Sequence, residues 1–202
     1  MNGNLLVLSA ICITLILSGC GGNSLQAKDE AVKKAWEMLD TSCRKRAGLV
    51  SPYLKIVGEH VQRETVILGD AGRAAEEVLR NEVQKTPPAS REDSRRYRDA
   101  QDELSRALAR LAVLEADYPY LGNDPWYVLM HTDLTACETR INSARSGYSL
   151  AIHDFNLAKQ AFPNTLANLL LFHYGDKEGL NMENKVRLAG EGSHQRAAMV
   201  VP

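Results

Sequence analysis

The chain has 202 residues, with 24 Lys and Arg against 25 Asp and Glu and a formal net charge of -1 at pH 7. A near-neutral balance gives no basic footprint for the phosphates of a nucleic acid, which is excluded as an expected partner. Aromatic residues make up 6% of the chain, and the abundance of Glu, Arg, Ala and Leu is the composition of long helices.

In chain order the first feature is an apolar run from Leu5 to Leu17, broken by Ser9 and Thr14, with no Asp, Glu, Lys or Arg before Lys28. At ~1.5 Å per residue it reaches ~20 Å of a ~30 Å hydrocarbon core. That is short for a spanning helix and usual for the apolar region of a signal peptide. The residues that follow, Leu17-Ser18-Gly19-Cys20, resemble the cleavage box of a bacterial lipoprotein, where a signal peptidase cuts before the cysteine and acyl chains are attached to it. Cys20 is therefore the expected lipidation site, with 1–19 the signal peptide and 20–27 a membrane-proximal linker. Each buried methylene contributes ~0.8 kcal/mol, and two or more acyl chains hold a protein on a bilayer where one does not. The alternative is an uncleaved anchor from Leu5 to about Leu25, since Met1-Asn2-Gly3-Asn4 lacks the Lys or Arg usual in a signal peptide. Either way the rest of the chain is exported. Gly21, rather than Asp, after the cysteine resembles outer-membrane lipoproteins of two-membraned bacteria.

From about Gln26 to Lys85 apolar residues recur in threes and fours, including Trp36, Leu39, Cys43, Val50, Val57, Val61, Leu68, Ala75 and Val78, which predicts one long helix. Gly48-Leu49-Val50-Ser51-Pro52 predicts a kink or break within it, because Pro52 removes the hydrogen bond to the Gly48 carbonyl. Thr86-Pro87-Pro88 ends that element, and Ser90 with Asp93 opens a second helix from Arg91 to about Asp117, stopped by Pro119. Asp124 and Pro125 then start a third helix. Its apolar residues Met130, Leu134, Cys137, Ile141, Ala144, Tyr148, Ala151, Phe155, Ala158 and Phe162 alternate steps of four and three, the pattern of a left-handed coiled-coil seam. Pro163 breaks it, and Asn164 or Thr165 caps a short fourth helix through Phe172, ended at Gly175. The bundle is thus expected over 28–174. The remainder, 175–202, has no periodicity beyond a possible strand at Lys185-Val186-Arg187-Leu188 and is expected to be poorly ordered.

Several of these stretches together resemble the LemA family of bacterial envelope proteins. The carrying residues are Trp36, Lys45-Arg46-Ala47-Gly48-Leu49-Val50, Glu115-Ala116-Asp117-Tyr118-Pro119-Tyr120-Leu121, Glu138-Thr139-Arg140-Ile141 with Arg145 and Tyr148, and Phe155-Asn156 with Phe162-Pro163. The resemblance implies an all-α antiparallel helical bundle, with three long helices and a short fourth, held at a bacterial membrane with its domain outside the cytoplasm. It implies no enzyme activity and no cofactor. Gly48 where the family usually has Asp, the displaced Pro52, and Ser149 after Tyr148 depart from the family pattern.

If the first two helices form a hairpin at Pro87-Pro88 and the third runs parallel to the first, Glu115 lies near Glu64, with Met130 and His131 in the same layer. Two carboxylates and an imidazole on facing helices are what a carboxylate metal site uses. The alternative is that both Glu side chains reach the bundle edge or pair with Arg46, Arg63, Arg140 or Arg145. The same geometry separates Cys43 from Cys137 by ~35 Å along the bundle, too far for a disulfide. Lys28, Lys33, Lys34, Arg44, Lys45 and Arg46 are interleaved with Asp29, Glu30, Glu37 and Asp40, as on a solvated helix face. Phosphate-loop, nucleophile-elbow and zinc-spacing motifs are absent from the sequence. The expected function is accordingly that of a non-enzymatic, lipid-anchored scaffold or interaction module, with an envelope protein or a second copy of the chain as partner. Its rival is a metal-binding protein or enzyme using Glu64, Glu115 and His131.

Overall fold

A computed structural model describes residues 22–61, 65–80, 86–161 and 164–180. The cleavage box with Cys20, the residue Glu64, and the stretch containing Lys185-Val186-Arg187-Leu188 lie outside the described residues. The elements are α1 (Gly22–His60), α2 (Thr65–Arg80), α3 (Arg91–Glu115), a 3-10 turn (Pro119–Asn123), α4 (Pro125–Gln160) and α5 (Asn164–Ala167), the last followed by one π-type turn (Asn168–Phe172). The chain forms the expected all-α helical bundle.

Local signals account for several of the boundaries. Ser90 is extended, and its hydroxyl accepts the Asp93 backbone N–H at 3.0 Å, while Glu92 and Asp93 face the positive end of the α3 dipole. Asp124 accepts the N–H groups of Trp126 and Tyr127 at 2.8 and 3.4 Å and is followed by Pro125 at the first helical position. After the π-type turn His173 takes a left-handed conformation, φ 54°. There the Asn168 side chain bonds both the N–H and the carbonyl of Tyr174.

Of the kink or break expected at Gly48–Pro52, a break does not occur, because α1 runs through Pro52 to His60; burial of its apolar face on both sides of the proline outweighs one lost hydrogen bond. The reversal comes later, between Val61 and Thr65. Leu68 packs over Gly58 and Leu54 over Gly72, so α2 runs back antiparallel along α1. The expected helix over 26–85 is therefore two helices.

That extra reversal changes the direction of everything after it. α3 runs parallel to α1, since Trp36 meets Tyr97, Arg46 meets Gln101 and Tyr53 meets Glu115. α4 runs antiparallel to α1, with Lys28 on Asp154, Trp36 on Tyr148, Arg46 on Glu138, Tyr53 on His131 and His60 on Asp124. The parallel first and third helices of the sequence reading are thereby corrected.

Two apolar clusters stack along the rod. Toward the tip, Val50, Val57, Ala71, Ala75, Leu104 and Leu111 are among the residues that fill the space between α1, α2, α3 and α4. Toward the base, Val32, Trp36, Leu39, Tyr97, Ile141, Tyr148 and Phe155 pack together, closed by Leu180. Leu180 belongs to a segment expected to be poorly ordered. Instead Asn156 bonds both backbone groups of Lys177 at 2.9 and 3.0 Å, and the Lys177 ammonium lies 2.5 Å from the Asp29 carboxylate and over the Phe155 ring. The packed chain extends to Leu180, as a strap held by specific bonds rather than by periodic burial.

Candidate functional site

Polar residues interrupt the α1–α4 seam at heptad steps. Arg46, Tyr53 and His60 on α1 face Glu138 and His131 on α4 and Asp124 at its N-cap, so the three layers stand ~10.5 Å apart along the rod. α3 completes the first two layers with Gln101 and Glu115.

The middle layer is the candidate site. Glu115 is 8% exposed. Its Oε1 accepts the Tyr53 hydroxyl at 2.6 Å and its Oε2 accepts the Tyr127 hydroxyl at 3.2 Å. His131 Nδ1 lies 3.2 Å from the Tyr53 oxygen. Because the single Tyr53 proton goes to Glu115, this contact requires His131 to carry its proton on Nδ1 and donate it. Tyr127 also stacks with both Tyr53 and His131, with ring centroids at 5.8 and 5.6 Å.

The electrostatics follow from burial. Burial pushes the Glu115 carboxyl above its ordinary range, against the pull of the two tyrosine hydrogen bonds. Burial and the adjacent Glu115 charge raise Tyr53, and raise Tyr127 to about 12. Burial lowers the His131 imidazole, keeping it neutral. The cluster is a short proton-donor chain ending on a carboxylate whose two oxygens are both occupied.

In the layer toward the base, Arg46 is 2% exposed. It donates to Glu138 Oε1 at 2.8 Å, Ser105 Oγ at 3.0 Å and Gln101 Oε1 at 2.9 Å. In the layer toward the tip, His60 Nε2 lies 3.0 Å from Asp124 Oδ2, and the Tyr120 hydroxyl donates to the His60 carbonyl at 3.1 Å. His60 chiefly holds the Asp124 carboxyl below the usual carboxylate range.

Of the expected metal layer, Glu115 and His131 do share a level, bridged by Tyr53, while Glu64 lies outside the described residues. α3 runs parallel to α1, not antiparallel as the expected hairpin required, and brings Glu115 to Tyr53, while its expected neighbour Glu64 lies outside the described residues. Arg46 pairs with Glu138, not with Glu115. Among the described residues, no three His, Cys, Asp or Glu side chains converge as a metal would require. Cys43 and Cys137 are both buried and unbridged. The reversed direction of α4 also brings their levels to within roughly 6 Å of rise, correcting the ~35 Å expected.

Tyr53, Tyr127, Asp124 and Glu138 were not singled out from the sequence as parts of such a cluster. A signal was present: Arg46, Tyr53 and His60, like Asp124, His131 and Glu138, are each seven residues apart. Of the basic residues near the base, Lys28 and Arg44 pair with Asp154 and Asp40, and Lys33 with Asp29 and Glu30, as a solvated face does.

Fold and site together define an all-α antiparallel bundle whose buried polar groups bond chiefly to one another across helix boundaries. A model of the LemA family matches residues 35–189, and the chain belongs to that family. No curated protein matches it.

Proposed function

We propose that this LemA-family protein is a lipid-anchored, non-enzymatic interaction module of the bacterial envelope, exported and tethered by acyl chains on Cys20. The observation that carries the non-enzymatic part is the middle layer, where the Glu115 oxygens are occupied by Tyr53 and Tyr127 within the bundle. A buried polar layer with every partner internal specifies register between helices. The anchor rests on Leu17-Ser18-Gly19-Cys20 after an apolar run. Among the described residues no helix is long and apolar enough to cross a membrane.

Intact-mass analysis of the protein extracted from membranes tests the anchor. The expected product begins at Cys20 and carries fatty acyl mass; an unprocessed chain, or a mature one without acyl chains, overturns it. Elemental analysis of the same sample tests the non-enzymatic reading against the metal alternative. Stoichiometric metal that disappears in Glu115→Ala would overturn the first and establish the second.

A further inference from the structure

Near the base of the rod lies a recess of about 500 Å³, a volume suited to a small organic molecule. Its walls are Lys33 of α1, the stretch Thr86–Arg91 with Ser94 at the start of α3, Tyr148 of α4, and the strap from Tyr174 to Glu178. Tyr148 stands level with Trp36, against which its ring packs at 5.4 Å between centroids. The recess is therefore about 25 Å from the Tyr53–Glu115 layer, by the rise of α1 from Trp36 to Tyr53. Tyr148 is 3% exposed, and a hydroxyl on so buried a residue normally has a partner. This one makes no hydrogen bond among the described residues, yet it is not sealed in apolar packing and opens into the recess. Burial alone pushes the phenol up to about 12, so it stays protonated and offers both a donor and an acceptor.

Every charged side chain on these walls is already matched within the chain. Lys33 pairs with Asp29 and Glu30, Lys177 with Asp29, Arg91 with Glu178 and Asp176 with Lys159. No surplus charge of either sign is left to recruit an ion. The ammonium and guanidinium groups nevertheless keep N–H donors beyond those pairs, and the carboxylates keep lone pairs. Between the polar groups the walls are flat and apolar. Pro87 and Pro88 are half-buried there, as is the ring of Tyr174, which stacks on Phe172.

We propose that this recess binds a neutral saccharide of one or two rings, with the Tyr148 hydroxyl bonded to a hydroxyl of the sugar. The two chemistries match. Sugar hydroxyls donate and accept at once, as the Tyr148 hydroxyl and the paired charges around it require, while the C–H faces of the ring cover the prolines and Tyr174. An anion would meet the carboxylates of Asp176 and Glu178, and a cation would meet Lys33, Arg91 and Lys177. The strap supplies one wall, so its two bonds to Asn156 hold the site together. The proposal rests on the interaction-module reading for a ligand that is bound and not transformed, and on nothing about the Cys20 anchor.

Isothermal titration calorimetry of the full chain, in micelles of a polyoxyethylene detergent that carries no sugar, tests the site. The probes are glucose, maltose, N-acetylglucosamine and its β-1,4 dimer, each up to about 10 mM, with inorganic phosphate as the ionic comparison. At least one saccharide is expected to bind and phosphate to give no heat. Tyr148→Phe should weaken that saccharide by about threefold to tenfold, the loss of one hydrogen bond. The same variant should unfold at an unchanged or higher temperature, because its hydroxyl has no partner inside the protein. Ser94→Leu, which puts a larger side chain on the α3 wall, should weaken binding by about tenfold or more with an unchanged helical circular dichroism spectrum. Absence of heat with all four saccharides overturns the proposal, as does saccharide binding indifferent to both substitutions. Phosphate binding that Tyr148→Phe weakens, without saccharide binding, would make the recess an anion site and overturn it equally. Each result leaves the acyl mass on Cys20 and the metal content untouched, so failure of this site and failure of the broader reading are told apart.

Discussion

Glu115 is held by two tyrosine hydroxyls that favour its charged form and by burial that disfavours it, and burial wins. The unfolded carboxyl titrates near 4.5 and the folded one above it, so the folded state binds the proton more tightly. The stability this gives is fully present below about pH 4.5 and lost as pH rises through the folded value. His131 has the opposite sign: its folded value is depressed below 6.5, so its contribution is present above 6.5 and lost as pH falls toward the folded value. Glu115→Gln keeps the shape without the titration. The stability of the native chain relative to this variant, by urea unfolding at each pH, should be level below about pH 4.5, fall as pH rises toward the folded value and level off above it; a difference that does not change with pH would refute the raised carboxyl. Arg46 is a harsher case. Removing its side chain leaves the Glu138 and Gln101 acceptors without their donor in a buried layer, and Arg46→Ala should cost about 3–5 kcal/mol in the same measurement. A loss below about 1 kcal/mol would mean that solvent replaces the guanidinium.

At the scale of the elements, α1 carries two residues poorly suited to a helix. Gly48 is exposed, and a Cβ built there meets no atom within 4 Å, so Gly48→Ala should stabilise the protein by about 0.5–1 kcal/mol through reduced backbone freedom in the unfolded chain. Pro52 sits inside the helix, and Pro52→Ala should restore an N–H to bond the Gly48 carbonyl and stabilise further. Destabilisation by both substitutions, read from thermal unfolding, would mean that the native backbone departs from regular helix there. The proline was legible as a perturbation, but its outcome was not, because local propensity costs are offset by burial on either side. The reversal after Val61 left no such mark: Gln62-Arg63-Glu64 contains neither Gly nor Pro, and the next apolar residues continue a helical spacing. A fold-back there is decided by the fit of α2 against α1 and α3, where Leu68 meets Gly58 and Leu54 meets Gly72. At the N-terminus of α3, by contrast, the Ser90–Asp93 cap was read directly, and Ser90→Ala should cost about 1 kcal/mol.

Across the whole molecule, the strap from His173 to Leu180 closes the base cluster through Asn156, Asp29 and Phe155. Asp29 keeps its charge there: burial pushes its carboxyl up, and hydrogen bonds from Lys177 and Lys33 outweigh it, holding it below the ordinary range. Asn156→Ala should therefore release the strap and speed amide exchange at Lys177 without lowering the helix content, measured by hydrogen exchange.

The residues by themselves determined that the chain is a helical bundle with a coiled-coil seam, because side chains that recur in threes and fours bury one face only when another helix covers it. They also placed Glu115 and His131 among the groups to watch. What tertiary structure decided was direction and partner. One unsignalled reversal makes α4 antiparallel to α1, and that parity gives Glu115 two tyrosines and Arg46 a glutamate. No local rule encodes this, since periodicity records which face is buried and carries no record of which helix buries it.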